Sequence, residues 1–490
     1  MKLKIYLLAA LFFLSAINIQ SQNYSSIKDG VEKYAAGTSL KHAIWGVYAK
    51  YLDNDEVILS HNSEKVLAPA SGLKLVTTAA ALNILGGNKQ FLTRLFYDGN
   101  IDSIGTLDGN IYFVGGGDPA LGSDLVKNSL SLEKLMETLA EGITTAGIKK
   151  VEGAILADAL LFEGKQIPDD WYWIDIGNYY GAQTSALSIN DNLYKLYFEP
   201  ASAVGTKAKV LRSEPEIPGL TFKNYMKTGA RGSGDNGYIY ASPEDFEAEL
   251  RGTIPAGYNE FSIKGSIPNP PLFAAQYLKM KLEEEGIPIT EKASVLEERK
   301  TYNSEKTLVS IFSPTVKDIV YIINKKSFNL YAEQLLKLMG FVNNGEGNIK
   351  EGIEAVEDFF EKNNIYSAGL NLQDGSGLSR SNAISAKTMV ELLEFMTKNE
   401  FFEPFYNSLA VAGDPADISS FSNFGTRTAI EKNARIKSGT IGGVKSHSGY
   451  LKDRSGRMIA FSFIANNFSG ASYLITDIHK DLMIRLAELQ

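Results

Sequence analysis

Three short patterns in this chain carry residues that can do covalent chemistry. The first is Ser71-Gly72-Leu73-Lys74, preceded by Ala68-Pro69-Ala70 and running into Leu75-Val76-Thr77-Thr78-Ala79-Ala80-Ala81-Leu82. The Ala- and Leu-rich run predicts a helix of about a dozen residues with Pro69 just ahead of it. At a spacing of three, Ser71 and Lys74 project from one helix face about one turn apart. A desolvated lysine can shed its proton and act as base toward the serine hydroxyl. The pair alone recurs by chance, and Ser71 as a plain helix cap is the simpler alternative. The second pattern, Ser327-Phe328-Asn329, falls between two helical stretches, where a loop can aim both polar side chains into a cleft. Ser327 can relay a proton to a leaving group, and the Asn329 amide can donate to a substrate carbonyl. The third, Lys437-Ser438-Gly439-Thr440, lies on a strand-like run. Lys437 offers charge for a substrate carboxylate, Gly439 lets a substrate backbone lie close, and an N–H near Thr440 can join that of Ser71 in an oxyanion hole. Together, in this order, the three point to acyl transfer through a serine acyl-enzyme.

The elements that must position these residues are readable from periodicity. A strand pair is expected over Ala43–Asn62, turning at Asp53-Asn54-Asp55, directly before the Ser71 helix. Short β-like runs at 109–114 and 151–157 bracket a helix at Leu132–Ala146, and residues 211–258 read as a small β-rich insert. Helix returns at Phe273–Glu285, stopped by Gly286 and Pro288. Apolar spacing of three and four then predicts helices at Val316–Asn324, Leu330–Phe341, Ile349–Asn363 and Ser385–Asn399. Strands follow at Ala434–Thr440, Ser448–Lys452 and Met458–Ile464, with a last helix at Tyr473–Leu489. Helix-plus-strand segments at both ends and a β-richer middle imply a discontinuous catalytic domain carrying large insertions. Gly115-Gly116-Gly117-Asp118-Pro119 lacks the Gly-Lys-Ser/Thr ending of a phosphate loop and reads as a tight turn.

Composition narrows the function further. The chain has 490 residues, a formal net charge of −8 and no basic tail, which gives nucleic-acid binding no electrostatic support. It has no cysteine, so disulfides, thiolate catalysis and Cys-ligated metals are excluded. The four histidines, His42, His61, His447 and His479, show no metal-ligand spacing, and no G-x-S-x-G elbow supports a Ser-His-Asp site. His447, seven residues past Thr440, is expected on a surface hairpin. No metal or cofactor is expected. Lys2, Lys4 and the short apolar run Ile5–Ile17 read as a cleavable signal segment over residues 1–22, too short to span a bilayer. An exported protein of the bacterial envelope, with at most peripheral membrane association, is the expectation; the oligomeric state is left open.

With these residues in view, the chain resembles the class C low-molecular-mass penicillin-binding proteins, the serine D-alanyl-D-alanine carboxypeptidases and endopeptidases. Beyond the three patterns, Asp374-Gly375-Ser376-Gly377-Leu378-Ser379-Arg380, Leu409-Ala410-Val411-Ala412-Gly413 and Ser185-Ala186-Leu187-Ser188-Ile189-Asn190-Asp191-Asn192 match the family's segments. So does the long interval between Lys74 and Ser327 (75–326). The resemblance implies an α+β multidomain fold: a discontinuous β-lactamase/transpeptidase-like catalytic domain with two inserted, β-rich domains. The implied parts are catalytic segments at 23–94 and 309–490, an inserted domain II at 95–205 and 257–308, and a smaller domain III at 206–256. It implies Ser71 as nucleophile and Lys74 as general base. Ser327, Asn329 and Lys437 would complete the proton network and substrate clamp, with Ser438 or Thr440 at the terminal carboxylate beside Gly439. Asp175, Arg380 and Ile441 would line a pocket for the third residue of the peptidoglycan stem peptide, where Asp175 would suit a free amine; Asp175 capping a turn is the alternative. Stem peptides would be the substrate and β-lactams covalent inhibitors. Phe328 in place of the frequent Asp or Asn, and Ser438 in place of the commoner Thr, leave the chemistry intact. A serine β-lactamase and a non-catalytic peptidoglycan-binding scaffold are the competing readings. The first would need an extra deacylating base, for which no motif is evident, and the second would be expected to have lost one of the reactive residues.

Overall fold

A computed structural model of the chain describes residues 25–490, so the signal segment expected at 1–22 lies outside the described residues. The chain divides into two compact units. One comprises the described residues up to Ala80 together with Ile323–Ser327 and Glu357–Gln490; the other comprises Ala81–Ile322 and Phe328–Val356. No helix among the described residues is long and apolar enough to cross a membrane.

The first unit is built on an antiparallel sheet drawn from both ends of the sequence. Its strands are β1 (Ile44–Tyr51) and β2 (Val57–His61) from the N-terminal side. From the C-terminal side come β3 (Ala410–Val411), β4 (Arg435–Ile441), β5 (Val444–Lys452) and β6 (Met458–Asn466), in the spatial order β2-β1-β6-β5-β4-β3. β6 lies between β1 and β5 and is buried along nearly its whole length, which is why Met-Ile-Ala-Phe-Ser-Phe-Ile-Ala is apolar on both faces. Three helices of this unit matter below: α1 (Lys74–Ala81), α2 (Ala386–Thr397) and α3 (Ser472–Ala487). Ser385 caps α2, its hydroxyl accepting from Thr388 N. α3 closes one sheet face over Trp45, Val47, Ala49, Phe461 and Phe463. On the opposite face, toward α2, Lys50 reaches Glu391 and Glu394, and the Tyr450 hydroxyl donates to Leu393 O.

The second unit holds a mixed five-stranded sheet containing Leu92–Tyr97, Ile111–Val114, Ile155–Asp158 and Thr307–Phe312, covered by helices Leu132–Thr145 and Pro270–Glu284. Gly286, just past the second of these helices, has φ +84°, the left-handed conformation that ends it. Residues 193–266 contribute a three-stranded and a four-stranded sheet. The fold class is thus α+β, with the reactive patterns at 71–74 and 437–440 on one sheet-based unit and a long β-rich insertion between them in sequence.

His447 departs from the sequence reading. It is buried, 1% exposed, on the sheet face covered by α3, because α3 brings His479 to meet it. Trp45 Nε1 donates to His479 Nε2 at 3.0 Å, so His479 carries its proton on Nδ1 and donates it to His447 Nδ1 at 2.9 Å. A second proton on His479 would face the Trp45 N–H. Burial, and then the charge of Lys445, push the His479 pKa down to about 3; burial and the neighbouring His479 depress His447 as well. A histidine depressed in the fold binds its proton more weakly there than in the unfolded chain. Its stabilisation is therefore full above pH 6.5 and is lost as pH falls toward about 3. For His479 the full swing is on the order of 5 kcal/mol. Urea midpoints at pH 7 and pH 4 should fall steeply in the parent and less in His479→Gln; equal slopes would refute the assignment.

Candidate active site

Ser71 does not sit in the α-helix that the sequence suggested. A 3-10 turn, Ala70–Leu73, precedes α1, which begins at Lys74. Ala70 has φ +48°, a conformation costly for a residue with a Cβ, and it turns the chain so that Ser71 leads into the helix. In a 3-10 turn residues three apart eclipse one another, which sets Lys74 directly over Ser71. Lys74 Nζ lies 3.0 Å from Ser71 Oγ. The lysine is fully buried and also donates to Ser376 O at 2.6 Å.

That carbonyl is held in place by the 374–380 loop. The buried Asp374 carboxylate accepts from Gly377 N at 2.7 Å, Ser379 N at 2.6 Å and Asn382 Nδ2 at 2.8 Å. Three donors on one carboxylate lock the loop, and Thr77 Oγ1 fastens α1 to it through Gly375 O. Gly377, at φ +82°, has no room for a Cβ against Ala70 O, so loop and Ser71 turn touch backbone to backbone.

Ser327 closes the site from another side. It follows helix Val316–Lys326 and precedes helix Asn329–Asn344 in a linker of two residues, at a left-handed φ of +57°. Side chains just before it anchor this reversal. Asn324 Nδ2 donates to Thr78 Oγ1 at 3.1 Å and Ser408 Oγ at 2.8 Å. Lys325, buried, pairs with Asp417 and donates to Leu409 O at 2.6 Å. Removing one member of so buried a pair is typically far costlier than the pair is favourable, which makes this pair a rigid mount for Ser327.

Lys437 lies on β4, opposite Ser448 of β5. Its Nζ donates to Ser327 Oγ at 3.0 Å and to Ser438 O at 2.7 Å. At 2% exposure, burial and then the charge of Lys74 hold its amine well below the ordinary lysine range. Ser71, Lys74, Ser327 and Lys437 are thus joined in two amine–hydroxyl pairs within one unit. A cavity of about 340 Å³ borders this group, lined by Asn324, Lys325, Ser327, Phe421, Lys437 and Ser438.

Gly439 has a packing reason the sequence did not show. A Cβ there would point at the Ser71 turn, 2.7 Å from Gly72 N and against Pro69 O, and 2.5 Å from Ser446 Oγ. Ser446, which sequence reasoning missed, donates to Pro69 O at 2.6 Å and ties β5 to the same turn. Ser438 and Thr440 alternate to the other face of β4. Arg380 Nη1 donates to Gly442 O at 2.6 Å, so the loop and the β4–β5 turn that starts at Ile441 meet.

Asn329 and Asp175 belong to the second unit. Asn329 is the first residue of its helix, and its Nδ2 donates to Tyr180 O at 2.7 Å. Asp175, on the short helix Trp173–Ile176, lies beside the Tyr180 hydroxyl, whose pKa is raised by burial and by that carboxylate. Tyr180 therefore links the segments that carry these two residues.

Comparison with known proteins is consistent with this arrangement. A D-alanyl-D-alanine carboxypeptidase of Actinomadura sp. is 29% identical over 472 residues, 95% of this chain and 85% of that protein. The D-alanyl-D-alanine carboxypeptidase DacB of Haemophilus influenzae is 25% identical over 93% of this chain and 92% of its own length. In three dimensions, the crystal structure of penicillin binding protein 4 from Haemophilus influenzae matches with a TM-score of 0.79 at 24% identity, covering 93% of this chain and 99% of that one. Its complex with a β-lactam matches with a TM-score of 0.73. The D-Ala-D-Ala carboxypeptidase 3 (S13) family profile spans residues 27–488, nearly the whole described chain, and the chain belongs to that family.

Proposed function

We propose that this chain is a serine D-Ala-D-Ala carboxypeptidase, or a DD-endopeptidase of the same mechanism, acting on peptidoglycan stem peptides in the bacterial envelope after export. The observation that carries the reading is the Ser71 Oγ–Lys74 Nζ pair at 3.0 Å, backed by the Ser327 Oγ–Lys437 Nζ pair at 3.0 Å. Lys74 in its neutral amine form takes the Ser71 proton as Oγ bonds to the carbonyl carbon of the penultimate D-Ala. The carbon–nitrogen bond then breaks, and the proton that Lys74 took passes through Ser327 to the leaving amine, which returns Lys74 to its neutral form while Lys437 holds the Ser327 hydroxyl in place. Water, deprotonated by the same base, hydrolyses the ester and frees Ser71. The N–H groups of Ser71 and Thr440 are the oxyanion donors in this scheme. For the third residue of the stem peptide, Arg380 and Ile441 are the residues of this unit offered by family likeness.

Intact mass before and after incubation with a penicillin tests the reading, in the parent and in Ser71→Ala. One penicillin added to the parent alone, persisting for many minutes, is the expected result. An adduct that disappears while the drug is hydrolysed would make the protein a β-lactamase. No adduct on folded parent would leave a binding scaffold.

A further inference from the structure

The β4–β5 hairpin carries two lysines near the site, and they serve opposite faces. In its register Lys437 stands opposite Ser448, and Lys445 stands opposite Thr440. Alternation then puts Ser438, Thr440 and Lys445 on one face and Lys437 on the other. Lys437 is committed to Ser327 Oγ and Ser438 O. Lys445 Nζ instead donates to Thr440 Oγ1 at 2.8 Å, and among the described residues it forms no ion pair with a carboxylate. It is half-buried, and its register neighbours are uncharged: His447 is held neutral by burial, and Thr440 and Ser438 are hydroxyls. An ammonium has three donors, and a partly desolvated cation without an anion is unfavourable.

We propose that Lys445, steadied by Thr440, is the cation that recognises the C-terminal carboxylate of the substrate, leaving Lys437 to the Ser327 proton relay. The inference rests on the acyl-enzyme reading above and refines it: the sequence offers the charge of Lys437 to a substrate carboxylate, and family likeness places Ser438 or Thr440 at the terminal one. A carboxylate offers two oxygens with about four lone-pair sites, and the hydroxyls of Ser438 and Thr440 with the Lys445 ammonium supply donors on one face of the strand. A peptide ending in D-Ala-D-Ala and a penicillin each present such a carboxylate. A hairpin staple would need only the Thr440 contact, whereas a recognition cation requires the missing anion to be the ligand's.

The test compares acetyl-Lys-D-Ala-D-Ala with the same peptide as its C-terminal amide. Binding of each is measured by calorimetry to Ser71→Ala protein, alone and combined with Lys445→Met or Lys445→Arg. The acid should bind more tightly than the amide. That preference should fall about tenfold or more with Lys445→Met and be largely kept with Lys445→Arg, while amide affinity stays unchanged in all three. No acid preference in Ser71→Ala, a preference untouched by Lys445→Met, or equal loss of acid and amide would each overturn the proposal. Penicillin labelling of the parent separates the two levels: labelling without a Lys445-dependent preference removes this subsite alone, and no labelling removes the acyl-enzyme reading itself.

Discussion

Lys74→Met is expected to slow acylation of Ser71 by penicillin on the order of a thousandfold while leaving the protein folded. Positioned general bases contribute roughly 10²- to 10⁴-fold, and Lys74 Nζ is the amine placed 3.0 Å from the Ser71 hydroxyl. Methionine fills a similar volume but neither takes a proton nor donates to Ser376 O. The orphaned carbonyl should cost about 1–3 kcal/mol, offset in part because an amine no longer has to be buried at full depth. Lys437 feels the change too. The charge of Lys74 is among the causes holding its amine down, so in the variant that amine moves back toward the ordinary lysine range. It cannot substitute as base for Ser71, because it is committed to Ser327 Oγ and the Ser438 carbonyl. Stopped-flow or mass-resolved acylation rates, read beside a thermal melt, check this; a folded variant acylated within tenfold of the parent rate would remove Lys74 from the role of base.

Much of this site was legible because its chemistry is local. Ser71 and Lys74 are three apart, Ser327 is pinned between two helices whose periodicity is plain, and Lys437 sits on a strand whose β pattern is unambiguous. Short-range spacing also set most helix limits to within a few residues, as at Leu132–Thr145 and Ile349–Lys362. What stayed hidden depends on residues distant in sequence meeting in space. Ser446 matters because β5 passes beside the Pro69 turn, 377 positions away. Asp374 is a loop acid until Gly377, Ser379 and Asn382 are seen converging on it, and only then does Ser376 O become a fixed partner for Lys74. His447 looked like a hairpin histidine because nothing near it in sequence announces His479, which a helix near the chain's end delivers to the same sheet face. The replacement of a plain helix start by a 3-10 turn was equally invisible, since Ala70 gives no composition signal for φ +48°. Lys445 shows the converse: a lysine in a hairpin is unremarkable in sequence and acquires meaning only from the Thr440 contact and from having no carboxylate partner among the described residues.

Gly439→Ala is expected to cut acylation about a hundredfold, a larger effect than the chemistry of a methyl group suggests. Glycine in this position of a β-strand is usually read as room for the substrate's backbone. Here the missing Cβ faces inward, toward Pro69 O and Gly72 N of the turn that carries Ser71. Adding it places carbon 2.7 Å from Gly72 N, so strand and turn must separate by roughly an ångström to reach ordinary contact. The Ser446–Pro69 hydrogen bond at 2.6 Å resists that separation, which turns a local clash into strain at the nucleophile. Overpacking of this kind typically costs about 1–3 kcal/mol of stability, and displacement of a reacting group by about an ångström can cost 10²-fold in rate. The discriminating comparison is the double variant Gly439→Ala with Ser446→Gly, which removes both the tether and one of the atoms the new methyl meets. If close approach is what positions Ser71, the second change should recover part of the lost rate without restoring stability. If instead Gly439 serves only the substrate's backbone, Ser446→Gly should leave the acylation defect of Gly439→Ala where it was, and the packing account of this glycine would have to be abandoned.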